Sequence, residues 1–199
     1  MWPSGNHTFC ETAMTFVKAV AELEEIVMRM VAKSYGVEPR YESILGSTDH
    51  ILKFNKYESH GGDEPNLGLV PHTDKSFITI VHQKDQGKGL EIKTKDEKWV
   101  EVDLSPSCFI VMAGDAFMAW TNGRVEASFH RVMMQGKKDR YSMVVGSYIR
   151  DLKIQAPQEL VDEDHPLQYK PFDHYKYINY HTYVNDRKLK YPLKLYCGV

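Results

Sequence analysis

Two of the nine histidines sit inside strand-like runs beside polar residues that a core would exclude: His72 in PHTD and His130 in SFHRV. Asp74 follows His72 by two positions, and residues i and i+2 of an extended strand project from one face. Two imidazoles and a carboxylate fill half of an octahedron and leave the other half open to reactants, the arrangement suited to non-haem iron(II) oxygen chemistry. A structural zinc site would close its fourth position, usually with cysteine, and Cys10, Cys108 and Cys197 are not near either histidine in sequence. An isolated His-x-Asp pair is also what a solvated strand or a helix N-cap displays, so that plainer reading stays open here.

A second pair stands ten residues after His130: Arg140 and Ser142, in RYSMVVG. A buried arginine cannot shed its proton and needs an anion, and its planar fork suits a carboxylate held by two parallel hydrogen bonds. Ser142 can donate a third. A structural Arg–Asp or Arg–Glu pair is the commoner alternative. The turn QGKKD between the two runs would place the His130 and Arg140 strands antiparallel with their facing ends close. Asn55 and Tyr57, in LKFNKYE, make a third same-face pair and offer an amide and a phenol to the same small anion.

These groups need a scaffold of short strands. Eight runs fit: HILKFNKY, LGLVPHTD, FITIVHQ, GLEIKTK, KWVEVD, CFIVMAGDAFMAW, EASFHRVMM and RYSMVVGSYIR. Their number and the turn chemistry between them point to a jelly roll rather than alternating βα units. Before them, Phe9 to Tyr35 has helical period, with Ala13, Phe16, Val20, Leu23, Val27 and Met30 on one face, Thr8 and Glu11 as a capping box, and Gly36 as terminator. EPRYESILGSTD reads as a loop, and PFDHYKYINYHTYVNDRK as a polar helix covering one end of a sheet. The chain divides into an N-terminal helix and loop (1–46), the jelly-roll domain (47–155) and a helical tail (156–199).

At 199 residues and a net charge of −2, with no basic stripe, the chain fits one domain and excludes a nucleic-acid partner. No run approaches the ~20 apolar residues that span a bilayer. Isolated cysteines point to a reducing, cytoplasmic setting, and a monomer is expected. Of the remaining histidines, His50, His60, His82, His165, His174 and His181 read as solvated or hydrogen-bonded side chains, and Asp115 reads as a turn cap.

HTD, 55 intervening residues, HRV and then RYS, with NKY upstream, resemble the motifs of plant 2-oxoglutarate- and iron(II)-dependent dioxygenases of the isopenicillin N synthase-like fold. PHTDKSFITIVHQ and HRVMMQGKKDRYSM look closest to the subgroup that includes glucosinolate side-chain dioxygenases. The resemblance implies a distorted double-stranded β-helix, mainly β, with the long helix packed on the larger sheet. It implies His72, Asp74 and His130 as iron ligands, Arg140 and Ser142 on the distal carboxylate of 2-oxoglutarate, and Tyr57 and Asn55 beside that co-substrate. Phe77, Phe117 and Trp120 become candidates to touch a small organic substrate. The expected reaction is hydroxylation, desaturation or a related oxidation in plant secondary metabolism, using O2, releasing succinate and CO2, and supported by ascorbate. Members of the family carry a long segment before the position matched by Met1, so a fragment or shortened relative with uncovered apolar surface is expected. The alternatives are a weakly active or inactive ligand-binding barrel, an oxidase that dispenses with 2-oxoglutarate, and a zinc- or sugar-binding cupin.

Overall fold

The computed structural model describes residues 5–59, 61–62, 64–84, 87–180 and 192–199. Eight principal strands follow two helices: α1 (His7–Ser34), α2 (Glu38–Leu45), β1 (Thr48–Tyr57), β2 (Asn66–His72), β3 (Ile78–Gln83), β4 (Gly87–Lys93), β5 (Trp99–Leu104), β6 (Ile110–Ala113), the short α3 (Asp115–Trp120), β7 (His130–Met134) and β8 (Arg140–Ile149). The tail adds the two-residue strands β9 (Lys153–Ile154) and β10 (Phe172–Asp173), then α4 (His174–Asn179) and α5 (Pro192–Cys197). One antiparallel sheet has the order β1-β8-β3-β6 and the other β2-β7-β4-β5. This is the expected jelly roll. β7 and β8 belong to different sheets and do not pair with each other; the turn at Gly136 (φ +83°) carries the chain from one sheet to the other.

The even positions of β1 turn toward α1. His50 Nε2 meets Glu24 Oε2 at 3.2 Å, Leu52 joins the core, and the Phe54 ring stacks near Phe9 at 5.7 Å. The long helix therefore packs on the outside of the larger sheet. Its buried stripe is Val20, Glu24, Met28 and Ala32, with Phe16 packed against the core; of the expected face Phe16 and Val20 turn inward, whereas Met30 is exposed and Glu24 lies buried against His50. Its cap is Asn6, whose side chain accepts from Phe9 N–H at 2.9 Å; the Thr8–Glu11 box lies inside the helix. Gly36, at φ +70°, ends the segment as expected.

The main core lies between this outer face, the helices and the tail, gathering Phe77, Ile80, Phe117, Trp120, Val145 and Tyr177. A small cluster of Leu90, Val132 and Met134 fills the space between the sheets, leaving room beside it for polar groups. The outer flank is apolar in places: Ile26 and Met30 on α1, Phe54 on β1, and Leu67 and Val70 on β2 are exposed. The first eight residues of EPRYESILGSTD form a helix, α2, and not a loop, since Tyr41 buries its ring and Pro39 sits within the first turn, where no N–H is lost. The second half of CFIVMAGDAFMAW is α3, not strand. Of the expected polar tail helix, the described part is α4; His181 and the residues to 191 lie outside the described residues, as does His60.

Candidate metal centre

β2 is an edge strand, so Pro71 costs it no ladder hydrogen bond. Its register slips between Leu67 and Leu69 and again between Leu69 and His72, and the second irregularity brings His72 opposite His130 at the start of β7. The two rings stand 4.3 Å apart between centroids. Asp74 is not on the strand: β2 stops at His72, and the following turn swings the carboxylate back to within 3.4 Å of His72 Nε2. Asp115 N–H donates to the Asp74 carbonyl at 2.8 Å and fixes that turn. One ligand atom from each of His72, Asp74 and His130 lies within 4.8 Å of the others.

The imidazoles are oriented alike. His72 Nδ1 meets the Val70 carbonyl at 2.8 Å, and His130 Nδ1 meets the Ser128 carbonyl at 2.9 Å. Each carbonyl accepts a hydrogen bond from Nδ1–H and holds the proton on that nitrogen, so each Nε2 keeps its lone pair for the shared space, the outer arrangement usual at metal-binding histidines. Burial would raise Asp74, but the hydrogen bond to His72, the nearby imidazoles and the Thr79 hydroxyl bring it down to about 2. Burial lowers His130, with Asp74 opposing only in part, whereas at His72 the carboxylate prevails over burial and raises it. The set of two imidazoles and one ionised carboxylate, with no cysteine, fits a facial iron(II) site.

The anion end is built by three neighbouring strands of the larger sheet. Asn55 pairs with Ser142, Ser142 with Gln83, and Tyr57 with Arg140. Arg140 is 8% exposed and donates from Nε to Gln83 Oε1 at 3.0 Å, with its guanidinium 5.2 Å from the Tyr57 ring centre. Burial lowers its pKa, Tyr57 opposes this, and no carboxylate contributes among the described residues. Burial likewise raises Tyr57. His72, Asp74, His130, Asn55, Tyr57, Arg140 and Ser142 all line one cavity of about 490 Å³.

Phe77, Phe117 and Trp120 do not line it, which corrects their assignment to substrate. In the main core, on the other side of the larger sheet, Phe77 meets both other rings edge-on and Phe117 stacks on Trp120, at 5.1 to 5.9 Å between centroids. Asp115 is not a surface turn cap: it is fully buried at the start of α3, where Tyr177 O–H donates to Oδ2 at 2.6 Å, and burial pushes it up to about 6. His174 is hydrogen-bonded as expected, yet wholly buried. Gln83 and Thr79 were missed; with Val81 they share one face of FITIVHQ, and that period-two alternation was the signal available.

The 2OG-Fe(II) oxygenase superfamily profile matches residues 48–146. The chain is 41% identical over 186 residues to a probable 2-oxoglutarate-dependent dioxygenase AOP1 of Arabidopsis thaliana, covering 90% of this chain and 62% of that relative. Among solved structures it is similar to the dioxygenase for auxin oxidation of rice, with TM-score 0.84 and 26% identity, covering 98% of this chain and 66% of that one. It is also similar to JOX2 in complex with 2OG, Fe and JA, with TM-score 0.80 and 30% identity, covering 89% and 54%. The chain thus spans less than two thirds of the length of the relatives it matches.

Proposed function

The chain belongs to the 2OG-Fe(II) oxygenase superfamily, and from that premise we propose that it works as a 2-oxoglutarate- and iron(II)-dependent dioxygenase on a small organic metabolite. The observation that carries this reading is the shared cavity, in which a three-ligand metal set stands with a buried arginine that has no carboxylate partner among the described residues. Iron(II) with 2-oxoglutarate, when bound, supplies the oxidising power by coupling O2 reduction to release of succinate and CO2.

The chain's own residues bind, orient and exclude water. Gln83 Oε1 accepts a hydrogen bond from Arg140 Nε–H, which leaves the terminal nitrogens of the fork for a carboxylate. The Ser142 and Tyr57 hydroxyls and the Asn55 amide stand on adjacent strands at the same end and can complete that carboxylate's hydrogen bonds. Val81, Leu90, Met112, Val132 and Val144 wall the space between this end and the metal set, keeping water from the reacting centre. The auxin-oxidising and JA-bound neighbours support a small plant metabolite as the substrate class.

Succinate formed from 2-oxoglutarate with added iron(II) and ascorbate tests the reading. Arg140→Lys keeps the charge and loses the fork, so it should raise the 2-oxoglutarate requirement about tenfold while iron affinity holds. No 2-oxoglutarate binding by the metal-loaded protein would sink the assignment; equal losses of both affinities would mark a folding defect instead.

A further inference from the structure

Two buried hydroxyls adjoin the Asp74 carboxylate. Ser76 and Thr79 are 1% and 3% exposed, and their oxygens lie 2.7 Å apart. Thr79 stands on β3 between Met112 of β6 and Gly146 of β8, and it lines the cavity together with Asp74, to which its hydroxyl is hydrogen-bonded. The direction of these bonds follows from the groups. An ionised carboxylate only accepts, so Thr79 spends its single proton on Asp74, and its oxygen is left to accept from the Ser76 O–H. Hydroxyls linked in this order polarise one another toward the carboxylate.

The backbone of the turn is held by other means. Asp115 N–H and Ala116 N–H donate to the Asp74 and Ser76 carbonyls at 2.8 and 3.2 Å, and Gly114 N–H donates to the Phe77 carbonyl at 3.0 Å. A Cβ at position 114 would lie 2.0 Å from the Ser76 carbonyl oxygen, so a glycine is needed for α3 to start against the turn. These bonds place the Asp74 main chain and leave its carboxylate to rotate, because the terminal torsion of an aspartate has broad wells. Rotation matters at a site of two imidazoles and one carboxylate. A carboxylate that turned both oxygens to the metal would take a position that the reactants need. Here Oδ1 is the oxygen 3.4 Å from His72 Nε2.

We propose that Thr79 is a positioning residue for Asp74: oriented by Ser76, its hydroxyl fixes the rotation of the carboxylate, so that one oxygen goes to the metal and the open positions stay free. The inference rests on the dioxygenase reading and adds to it the group that sets how the carboxylate ligates. A hydroxyl pair three residues apart also satisfies its own buried polar groups within a turn, and that role alone would make metal affinity follow stability from variant to variant.

Cobalt(II) binding to the full chain, measured by calorimetry and by the visible absorption of the bound ion, separates the two roles without turnover. Thr79→Val keeps the shape and loses the hydroxyl. It should weaken cobalt(II) binding about tenfold, the low end for a group that orients a ligand, and change the absorption spectrum as the coordination number changes. Thr79→Ser keeps the hydroxyl and loses a buried methyl, so it should bind cobalt(II) with wild-type affinity and spectrum yet melt at a lower temperature. Ser76→Ala leaves the Thr79–Asp74 bond in place and should cost about twofold in affinity. Wild-type affinity and spectrum in Thr79→Val, or affinities that track melting temperature across the three variants, overturn the inference. A wild type that binds cobalt(II) but not 2-oxoglutarate would overturn the dioxygenase reading instead, with the three cobalt(II) affinities still deciding the role of Thr79.

Discussion

Two regions of this protein hold buried polar groups, His130 and Arg140 in one and Asp115, His174 and Tyr177 in the other, and they differ in what those groups have left to offer. At the metal centre, His72 and His130 each spend one ring nitrogen on a backbone carbonyl and keep the other aimed into a cavity. Behind the larger sheet, His174 spends both: Nδ1 accepts from Ile149 N–H at 2.9 Å and Nε2 donates to the Lys75 carbonyl at 2.8 Å. Arg140 has no carboxylate among the described residues, whereas Lys75 donates to three carbonyls at the end of α4 and Tyr177 donates to Asp115. Burial alone does not distinguish a reactive site from a structural one. Unspent hydrogen-bonding capacity that converges on a space does.

The strongest way to break this contrast is to remove a ligand. Asp74→Ala should weaken manganese(II) or iron(II) binding by more than about 100-fold, beyond the loss typical of outer-sphere partners, and leave the metal-free protein as stable as before or more so. A large fall in the melting temperature of that metal-free variant would show that the carboxylate is structural.

The second region should reveal itself through pH. Burial holds His174 down to about 4, so its proton is taken up by the unfolded chain first, and stability falls as pH drops from about 6.5 to 4. Burial pushes Asp115 up to about 6, so the folded chain keeps its proton longer, and stability falls as pH rises from about 4 to 6. Each shift corresponds to about 3 kcal/mol, and the two slopes oppose one another over pH 4 to 6. Urea unfolding of the metal-free wild type should therefore vary little from this pair across that window. Asp115→Asn should lose about 3 kcal/mol on acidification, and His174→Gln should gain a similar amount; variants with the same slope as wild type would refute the assignment.

A smaller effect is expected from Tyr177→Phe, which leaves Asp115 Oδ2 without its donor and should cost about 2 kcal/mol in urea unfolding, with metal affinity changed far less. A matching loss of metal affinity would mean that the two regions are one cooperative unit. The smallest is Gln83→Leu: it frees the Arg140 Nε–H and should weaken 2-oxoglutarate binding a few-fold, the scale of one hydrogen bond of about 1 kcal/mol. An unchanged affinity would show that the fork is held by the barrel walls alone.

The sequence by itself determined what depends on period and residue type. Period-two alternation marked the eight strands, and the same-face rule paired Arg140 with Ser142 and Asn55 with Tyr57, because a strand's pleat fixes side-chain direction within two residues. His72 and Asp74 were rightly paired for a partly different reason, since a turn delivers the carboxylate. Tertiary structure decided whatever depends on what lies opposite. Glu24 looks like a solvent-facing helix residue until His50 stands across from it, and α2 has no strong local signal until Tyr41 finds the core. Phe77, Phe117 and Trp120 are as apolar as substrate contacts would be, and only the side of the sheet on which they fall assigns them to the core. Arg140 has the same local pattern as any strand arginine, and its place in one cavity with the metal set exists only once β8 and β2 are brought together from two facing sheets, because local sequence sets a side chain's direction but distant strands set what it meets.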